Sequence, residues 1–491
     1  TKWPDGLKVI TPGGVINWLI LFVTSMGITD IFSKSNTGIA RQVLKDYNAH
    51  RPLGPQQKVC YAPFKNMYFF HHGRAAVCCY NKTYILGEYP AMSIKEMWQG
   101  ESAQKLRGFI SKNDLSQGCF SCENQLKAGN FDAVKAKQYD EQKINENGYP
   151  SVMEFELSNL CNLECEMCNG DFSSLIRAKR EKRPPIENPY NAAFVDQLEE
   201  FIPHLEEVKF YGGEPFLIEI YYDIWERILK INPGVRISVQ TNGTVLNNRV
   251  KRILENTNFH LNISFDSLKK DTYEQIRKNA NFERVSENIE WFYNYCKQKD
   301  TFFGISVCAM QQNWDELPGF INYCNKLDVP VYFHTVYYPL NCSIRGMKAE
   351  AIEPIVTYLS GFDFQAETPI QKKNRTHYFD FVNQVKAWHK QALNAAGEKK
   401  LESFTDLRDR AIEHIKANKM MAEHIKARKI ERVYNKFTEL EKRLEPEFIE
   451  RSLARIDPNS GSFPDVLDKV AYYSDKLPLN ALVLLIKSSF K

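Results

Sequence analysis

The segment Cys161-Asn-Leu-Glu-Cys165-Glu-Met-Cys168 constrains this chain more than any other. Its C-x3-C-x2-C spacing brings three thiols to one point on a loop, directly after the β-rich run Val152–Leu157. Structural zinc sites take four protein ligands, and catalytic ones mix His and carboxylate. Three thiolates alone suit a cubane iron–sulfur cluster with one iron left open to bind a small molecule. Zinc, or a chance trio of buried thiols, is the plainer alternative. The 491 residues hold 12 cysteines, too sparse for a disulfide scaffold, and eight of them lie between Cys60 and Cys168. In a reducing compartment such clustering reads as metal ligation.

From 150 to about 340, short apolar runs alternate with longer helical patterns. Strands are expected at Val152–Leu157, Glu207–Tyr211, Val235–Gln240, His260–Phe265, Phe303–Met310 and Val331–Tyr337. Helices are expected at Ala193–Leu205, Ile220–Ile231, Val245–Thr257, Phe282–Lys299 and Trp314–Leu327, where Val285, Ile289, Phe292 and Tyr293 repeat at helical spacing. Six strands with helical crossovers predict a parallel α/β sheet, open or as a partial barrel. Residues 1–55 form a lead-in, 56–128 a cysteine-rich unit and 129–149 a polar, lysine-rich helical linker. Beyond 345 the strand signal fades into helix, with Pro446 as a break and a loop at Asp457–Gly461.

A second motif, Tyr211-Gly-Gly-Glu-Pro215, closes the second strand. Gly212 and Gly213 let a ligand approach the backbone, Glu214 offers a carboxylate to an ammonium group, and Pro215 stops the strand. Ligands sit at the carboxyl ends of parallel strands. The cysteine loop followed by this motif resembles the radical S-adenosylmethionine (radical SAM) superfamily over residues 150–345. The resemblance implies a partial (βα)6 TIM-like barrel. It also implies a [4Fe–4S] cluster on Cys161, Cys165 and Cys168, with the open iron chelated by SAM. Met167 then falls where the family packs a bulky residue near the adenine, and Gly212, Gly213 and Glu214 receive the SAM ammonium. Asn242 in Gln240-Thr-Asn-Gly-Thr244 and Ser264 and Asp266 in Asn262-Ile-Ser-Phe-Asp-Ser267 resemble further family segments that contact SAM, and the alternate positions of Ser264 and Asp266 point both to one face. Arg277 resembles an arginine that pairs with the SAM carboxylate. The plainer readings are a strand-end turn at Asn242 and a surface ion pair at Arg277. Cys308, His334 and Tyr337 are able to point into the barrel, although core packing explains each.

Upstream lie Cys60-Tyr-Ala-Pro-Phe64, His71-His-Gly-Arg-Ala-Ala-Val-Cys78-Cys79 and Cys119-Phe-Ser-Cys122. Four stations (60, 78 or 79, 119, 122) saturate a tetrahedral site, for zinc or a cluster. The segment's wording resembles the SPASM/twitch auxiliary-cluster domain, here placed before the barrel as in twitch-domain-containing radical SAM proteins. That resemblance assigns Cys60, Cys78, Cys119 and Cys122 to an auxiliary [4Fe–4S] cluster, with Cys79 as alternate for Cys78. The fold expected is therefore a partial barrel with a small N-terminal cysteine-rich α+β domain and a helical region over 346–491.

The implied activity is reductive cleavage of SAM to a 5′-deoxyadenosyl radical that takes hydrogen from a substrate. A peptide or protein side chain, modified oxidatively, is the first expectation. A sugar or small-metabolite dehydrogenase is the second, and a non-catalytic iron–sulfur or zinc protein the alternative of another class. No general base stands out, so no catalytic side chain is assigned. A flavodoxin or ferredoxin is the electron donor expected. Lys+Arg 64 against Asp+Glu 60 leaves a net charge of +4, which argues against nucleic acid as partner. The apolar runs Val15–Ile28 and Leu477–Ile486 are too short to span a bilayer, and the first lacks the flanks of a signal peptide. The cytoplasm is the compartment expected.

Overall fold

A computed structural model describes residues 39–491, except 128, 338, 396–402, 419–422, 454–455, 457–462, 477–478, 480–481 and 484–491. The apolar run Val15–Ile28, most of Leu477–Ile486 and the loop expected at Asp457–Gly461 lie outside the described residues.

One sheet carries the molecule. Its nine strands are β1 (Asn66–Phe70), β2 (Arg74–Ala76), β3 (Gly87–Glu88), β4 (Val152–Phe155), β5 (Glu207–Phe210), β6 (Arg236–Thr241), β7 (Phe259–Ser264), β8 (Phe303–Ala309) and β9 (Val331–Thr335). They are ordered β3-β2-β1-β4-β5-β6-β7-β8-β9. From β4 to β9 every pairing is parallel, and the strip stays open rather than closing on itself. These six strands are the six expected from sequence, displaced by a residue or two at their ends.

The crossover helices include Glu219–Ile231, Asn248–Glu255, Phe282–Lys299 and Leu317–Leu327. Asn247 and Asn281 cap two of them by accepting bonds from the first-turn N–H groups. Trp314–Glu316 is a short 3-10 turn rather than the start of the following helix.

Parallel strands packed on both faces usually read as unbroken apolar runs. Here β6 (Arg-Ile-Ser-Val-Gln-Thr) and β7 (Phe-His-Leu-Asn-Ile-Ser) alternate, with apolar residues buried and Ser238, Gln240, His260, Asn262 and Ser264 half-buried between them. The apolar face takes the helices. The polar face turns inward and lines a lumen.

The cysteine-rich region continues the same sheet. β1 pairs in parallel with β4, Tyr68 opposite Glu154, and one hydrophobic core runs from Tyr47 to Ala392 through both regions. Residues 129–149 are not the helical linker expected. They form only short 3-10 turns, with Val134, Ala136 and Tyr139 buried, and buried Arg51 grips Asp140 through two bonds of 2.7 and 2.5 Å. Lysines gave the segment a solvated look that its packed aliphatic and aromatic residues override.

Helix Pro369–Ala395 seals the free edge of β9. Asn374 Oδ1 accepts the Val331 N–H at 2.8 Å, and His377 Nδ1 lies 2.7 Å from the Val331 carbonyl oxygen. Further helices Phe404–Ala417, Glu423–Arg443 and Phe463–Lys476 pack around a second core that includes Leu407, Ala411, Val433, Phe437 and Leu440. Pro446 starts a new short helix, Pro446–Leu453, after the break at Arg443. Among the described residues no helix is long and apolar enough to cross a membrane.

Candidate functional site

The cysteine loop leaves β4 and is tied down at several points. The Leu157 N–H donates to the Tyr221 hydroxyl at 2.9 Å. Ser173 caps helix Ser174–Lys179, and its hydroxyl donates to the Leu163 carbonyl at 2.7 Å. The N–H groups of Glu164 and Glu166 bond the Lys278 and Ile276 carbonyls, which draws Arg277 against the loop. Its Nη1 lies 4.0 Å from Cys165 Sγ. Burial pushes the Cys161 and Cys168 thiols up to about 12, and a charge on Cys165 would raise both further. Deprotonating them therefore calls for a bound cation.

Among the described residues no three His, Cys, Asp or Glu side chains converge tightly enough for a single ion. A tetrahedral zinc would draw its sulfurs to about 2.3 Å from one centre. A cubane binds each thiolate through a different iron and so holds them further apart. The three-thiol donor set fits a cluster.

The glycine motif packs on this loop. Gly212 has φ +110°, and the Gly213 N–H and Glu214 N–H donate to the carbonyls of Ser158 (3.0 Å) and Leu160 (2.8 Å). Glu214 faces into the fold with no accessible surface. Its oxygens accept from Thr241 Oγ1 and the Asn242 N–H, both at 2.7 Å, and from the Phe216 N–H at 3.2 Å. These donors sit at the end of β6, and buried polar groups must pair. Burial raises Glu214 to about 6 against the pull of those bonds. Pro215 opens the buried turn Pro215–Leu217.

Asn242 braces the cysteine loop, with Nδ2 3.1 Å from Asn162 Oδ1 and 3.9 Å from Cys161 Sγ. Ser264 does face inward, accepting from Gln240 Nε2 at 2.7 Å. Asp266 does not share that face. It lies beyond the end of β7 with no accessible surface, accepts the Cys308 N–H at 2.7 Å, and sets Oδ2 2.8 Å from Arg277 Nε. Arg277 is thus a buried partner of Asp266, not a surface residue. Burial opposes its charge, but Asp266 and Cys165 more than restore it. Met167 packs against Ile276, Met310 and Val336.

The upstream cysteines gather as well. Cys60, Cys78, Cys119 and Cys122 line one small cavity, walled by Val77, Ile110, Leu115, Ala136 and Tyr139. The Ala62 N–H points at Cys60 Sγ (3.4 Å), Asn81 Nδ2 at Cys119 Sγ (3.4 Å), and the N–H groups of Lys135 and Ala136 at Cys122. Donors aimed at sulfur suit thiolate ligands. Cys79 faces away, into a cluster of Tyr68, Phe70, Ala76 and Tyr211.

The lumen between the two cysteine groups holds residues that the motifs did not mark. Strand register places Glu154, Lys209, Ser238 and Gln240 on one face, followed by Asn262, Ser306, Cys308 and His334. Glu154 accepts from Asn66 (2.7 Å) and Tyr139 (2.8 Å), and Glu156 from Tyr68 (2.6 Å) and Lys82 (2.8 Å). Tyr337 lies past the end of β9, exposed, under the Arg345 guanidinium. The alternation in β6 and β7 was the sequence signal for this face.

Residues 155–324 match the family model of the radical SAM superfamily, and residues 60–123 match that of the SPASM iron–sulfur cluster-binding domain. The SPASM match precedes the radical SAM match, the order of a radical SAM protein with a SPASM/twitch domain. These domains imply a [4Fe–4S] cluster with SAM, and auxiliary iron–sulfur. A GTP 3′,8-cyclase of Limosilactobacillus fermentum is 30% identical over 202 residues, 40% of this chain and 57% of that protein. One from Clostridium perfringens strain SM101 is 26% identical over 186 residues, 36% and 53% of the two chains. The chain spans about half the length of these curated relatives. Among solved structures, native anSMEcpe with bound AdoMet is 19% identical at a TM-score of 0.34, covering 48% of this chain and 62% of that one. SuiB of Streptococcus suis bound to the precursor peptide SuiA is 13% identical at 0.32, covering 53% and 58%.

Proposed function

We propose that this chain reductively cleaves SAM and uses the resulting radical to take hydrogen from a substrate held in the polar lumen. The observation that carries this reading is the cysteine loop zippered to the glycine motif at the carboxyl ends of β4 and β5, with the lumen opening beside it. When bound, the cluster and SAM supply a 5′-deoxyadenosyl radical. Cys161, Cys165 and Cys168 would hold that cluster. Glu214 and Asn242 fix the backbone on which the loop rests, and Arg277 places a positive charge beside Cys165. Cys60, Cys78, Cys119 and Cys122 would hold the auxiliary group, an outlet for the electron left on an oxidised substrate. A flavodoxin or ferredoxin in a reducing cytoplasm is the electron source that fits.

The first substrate reading is a side chain of a peptide or protein. It would enter the lumen as a side chain, since helix Pro369–Ala395 occupies the β9 edge that strand addition needs. The second reading is a small polar metabolite, favoured by the polar inner faces of β6–β9; the relatives named GTP 3′,8-cyclase are named for a nucleotide.

Anaerobically reconstituted protein with dithionite and SAM should yield 5′-deoxyadenosine, and Cys161→Ala should not. No product from the intact protein overturns the reading. Supplying a perdeuterated cell extract separated by size tests the substrate. Deuterium in 5′-deoxyadenosine from the large fraction selects the peptide, and from the small fraction the metabolite.

A further inference from the structure

Lys82 reaches from one cysteine group to the other. It follows Asn81, a buried residue fastened to the auxiliary site. The Asn81 N–H donates to the Cys78 carbonyl at 3.2 Å, and Nδ2 donates to the Gln117 carbonyl at 2.8 Å while pointing at Cys119 Sγ at 3.4 Å. The backbone that carries Lys82 is therefore set by the auxiliary cysteines.

The other end of the side chain meets the three-cysteine loop. The Lys82 ammonium donates to Glu156 Oε1 at 2.8 Å and lies 5.2 Å from the centre of the Phe172 ring. Glu156 stands shortly before Cys161 and Phe172 shortly after Cys168, so one ammonium touches both ends of the loop. Tyr68 and Phe70 add two more rings at 5.1 and 5.3 Å, within cation–π range. Glu156 is buried and fixed in turn: the Tyr68 hydroxyl donates to Oε2 at 2.6 Å, and His71 Nδ1 lies 3.7 Å from Oε1. A lysine side chain gives up much rotamer freedom when it is held in one place. Three rings and a buried carboxylate are what hold this one.

We propose that Lys82, carried by the auxiliary region, is a positioning residue for the three-cysteine loop, so that filling the auxiliary site sets how well the loop binds SAM. The proposal rests on the radical SAM reading for the ligand of that loop. Groups that stand behind metal ligands govern what the ligands bind. The coupling is reciprocal: what the auxiliary metal adds to SAM affinity, SAM adds to the hold on that metal. The competing role for Lys82 is to pair with the buried Glu156 and nothing more.

The test is equilibrium binding of SAM to the anaerobically reconstituted protein, with iron counted in every sample. Lys82→Met should weaken SAM about tenfold and keep the auxiliary iron. Lys82→Arg, which retains the charge, should bind SAM as the unsubstituted protein does. Cys60→Ala with Cys122→Ala, which empties the auxiliary site, should weaken SAM to a similar degree as Lys82→Met. Combining those changes with Lys82→Met should bring no further loss, because either alone already releases the loop. Glu156→Gln keeps the shape of the side chain and should match Lys82→Met, which covers a failure of that variant to fold. Unchanged SAM affinity in Lys82→Met overturns the proposal, as do losses that multiply in the combined variant. Loss of the auxiliary iron in Lys82→Met also overturns it, by assigning the lysine to the auxiliary site alone. No SAM binding by the unsubstituted protein would overturn the radical SAM reading and this proposal together, whereas the other failures leave that reading standing.

Discussion

Gly213 lies so close to Leu160 that a Cβ built on it would sit 2.1 Å from the Leu160 carbonyl oxygen. The contact is backbone to backbone, so a side chain at 213 forces the cysteine loop to move. Gly213→Ala should lower iron by about four atoms per chain, the content of one cubane, and abolish SAM binding, while the auxiliary iron stays. Gly108→Ala is the control. Gly108 lies within helix Glu101–Ser111 with open space around it, and the change should stabilise the protein by about 0.5–1 kcal/mol. Iron assay and denaturant midpoints check both outcomes.

The buried pair Asp266 and Arg277 ties the end of β7 to the segment that carries the cysteine loop. Asp266→Asn leaves the guanidinium buried without its partner and should cost about 3–5 kcal/mol. Arg277→Met should cost a similar amount. The double variant should cost less than the sum, because it removes both charges from a space that water does not reach. Urea unfolding of the three variants measures the coupling. A strictly additive result would mean that the pair does not interact in solution.

The auxiliary cavity separates two neighbouring thiols. Cys78 faces Cys60, Cys119 and Cys122, whereas Cys79 faces Tyr68 and Tyr211. Cys78→Ala should therefore lose the auxiliary iron and Cys79→Ala should keep it. Iron counting on a background of Cys161→Ala, which empties the other site, isolates the difference. The reverse outcome would assign Cys79 as the ligand.

Six strands and the three-cysteine loop were legible because their signals are local: alternation, helical spacing and C-x3-C-x2-C. The pairing of β1 with β4 was not, since it joins residues more than eighty positions apart and nothing at Asn66–Phe70 marks its neighbour. Glu214 shows a second limit. The motif names a carboxylate at a strand end, but whether that carboxylate meets a ligand or the N–H of Asn242 depends on how β6 ends beside it. Asp266 and Ser264 show a third. Period two places them on one face only while the strand lasts, and β7 stops at Ser264. The covered edge of β9 depends on Asn374 and His377, polar residues in a helix that carries no motif of its own.

His334 titrates far from its ordinary range. Burial lowers it to about 4, with Lys135 and His377 adding repulsion. Its free value is near 6.5. Between those two values the unfolded chain binds a proton that the folded chain refuses, so stability falls as the pH drops from 6.5 toward 4. His334→Gln removes this linkage. The unsubstituted protein should lose stability relative to His334→Gln as the pH is lowered from 7 to about 5, and the difference should be flat above 7. Urea unfolding at a series of pH values measures the gap, and the imidazole resonance should show a midpoint well below the free value. A midpoint at the free value would mean that the fold does not favour the neutral ring.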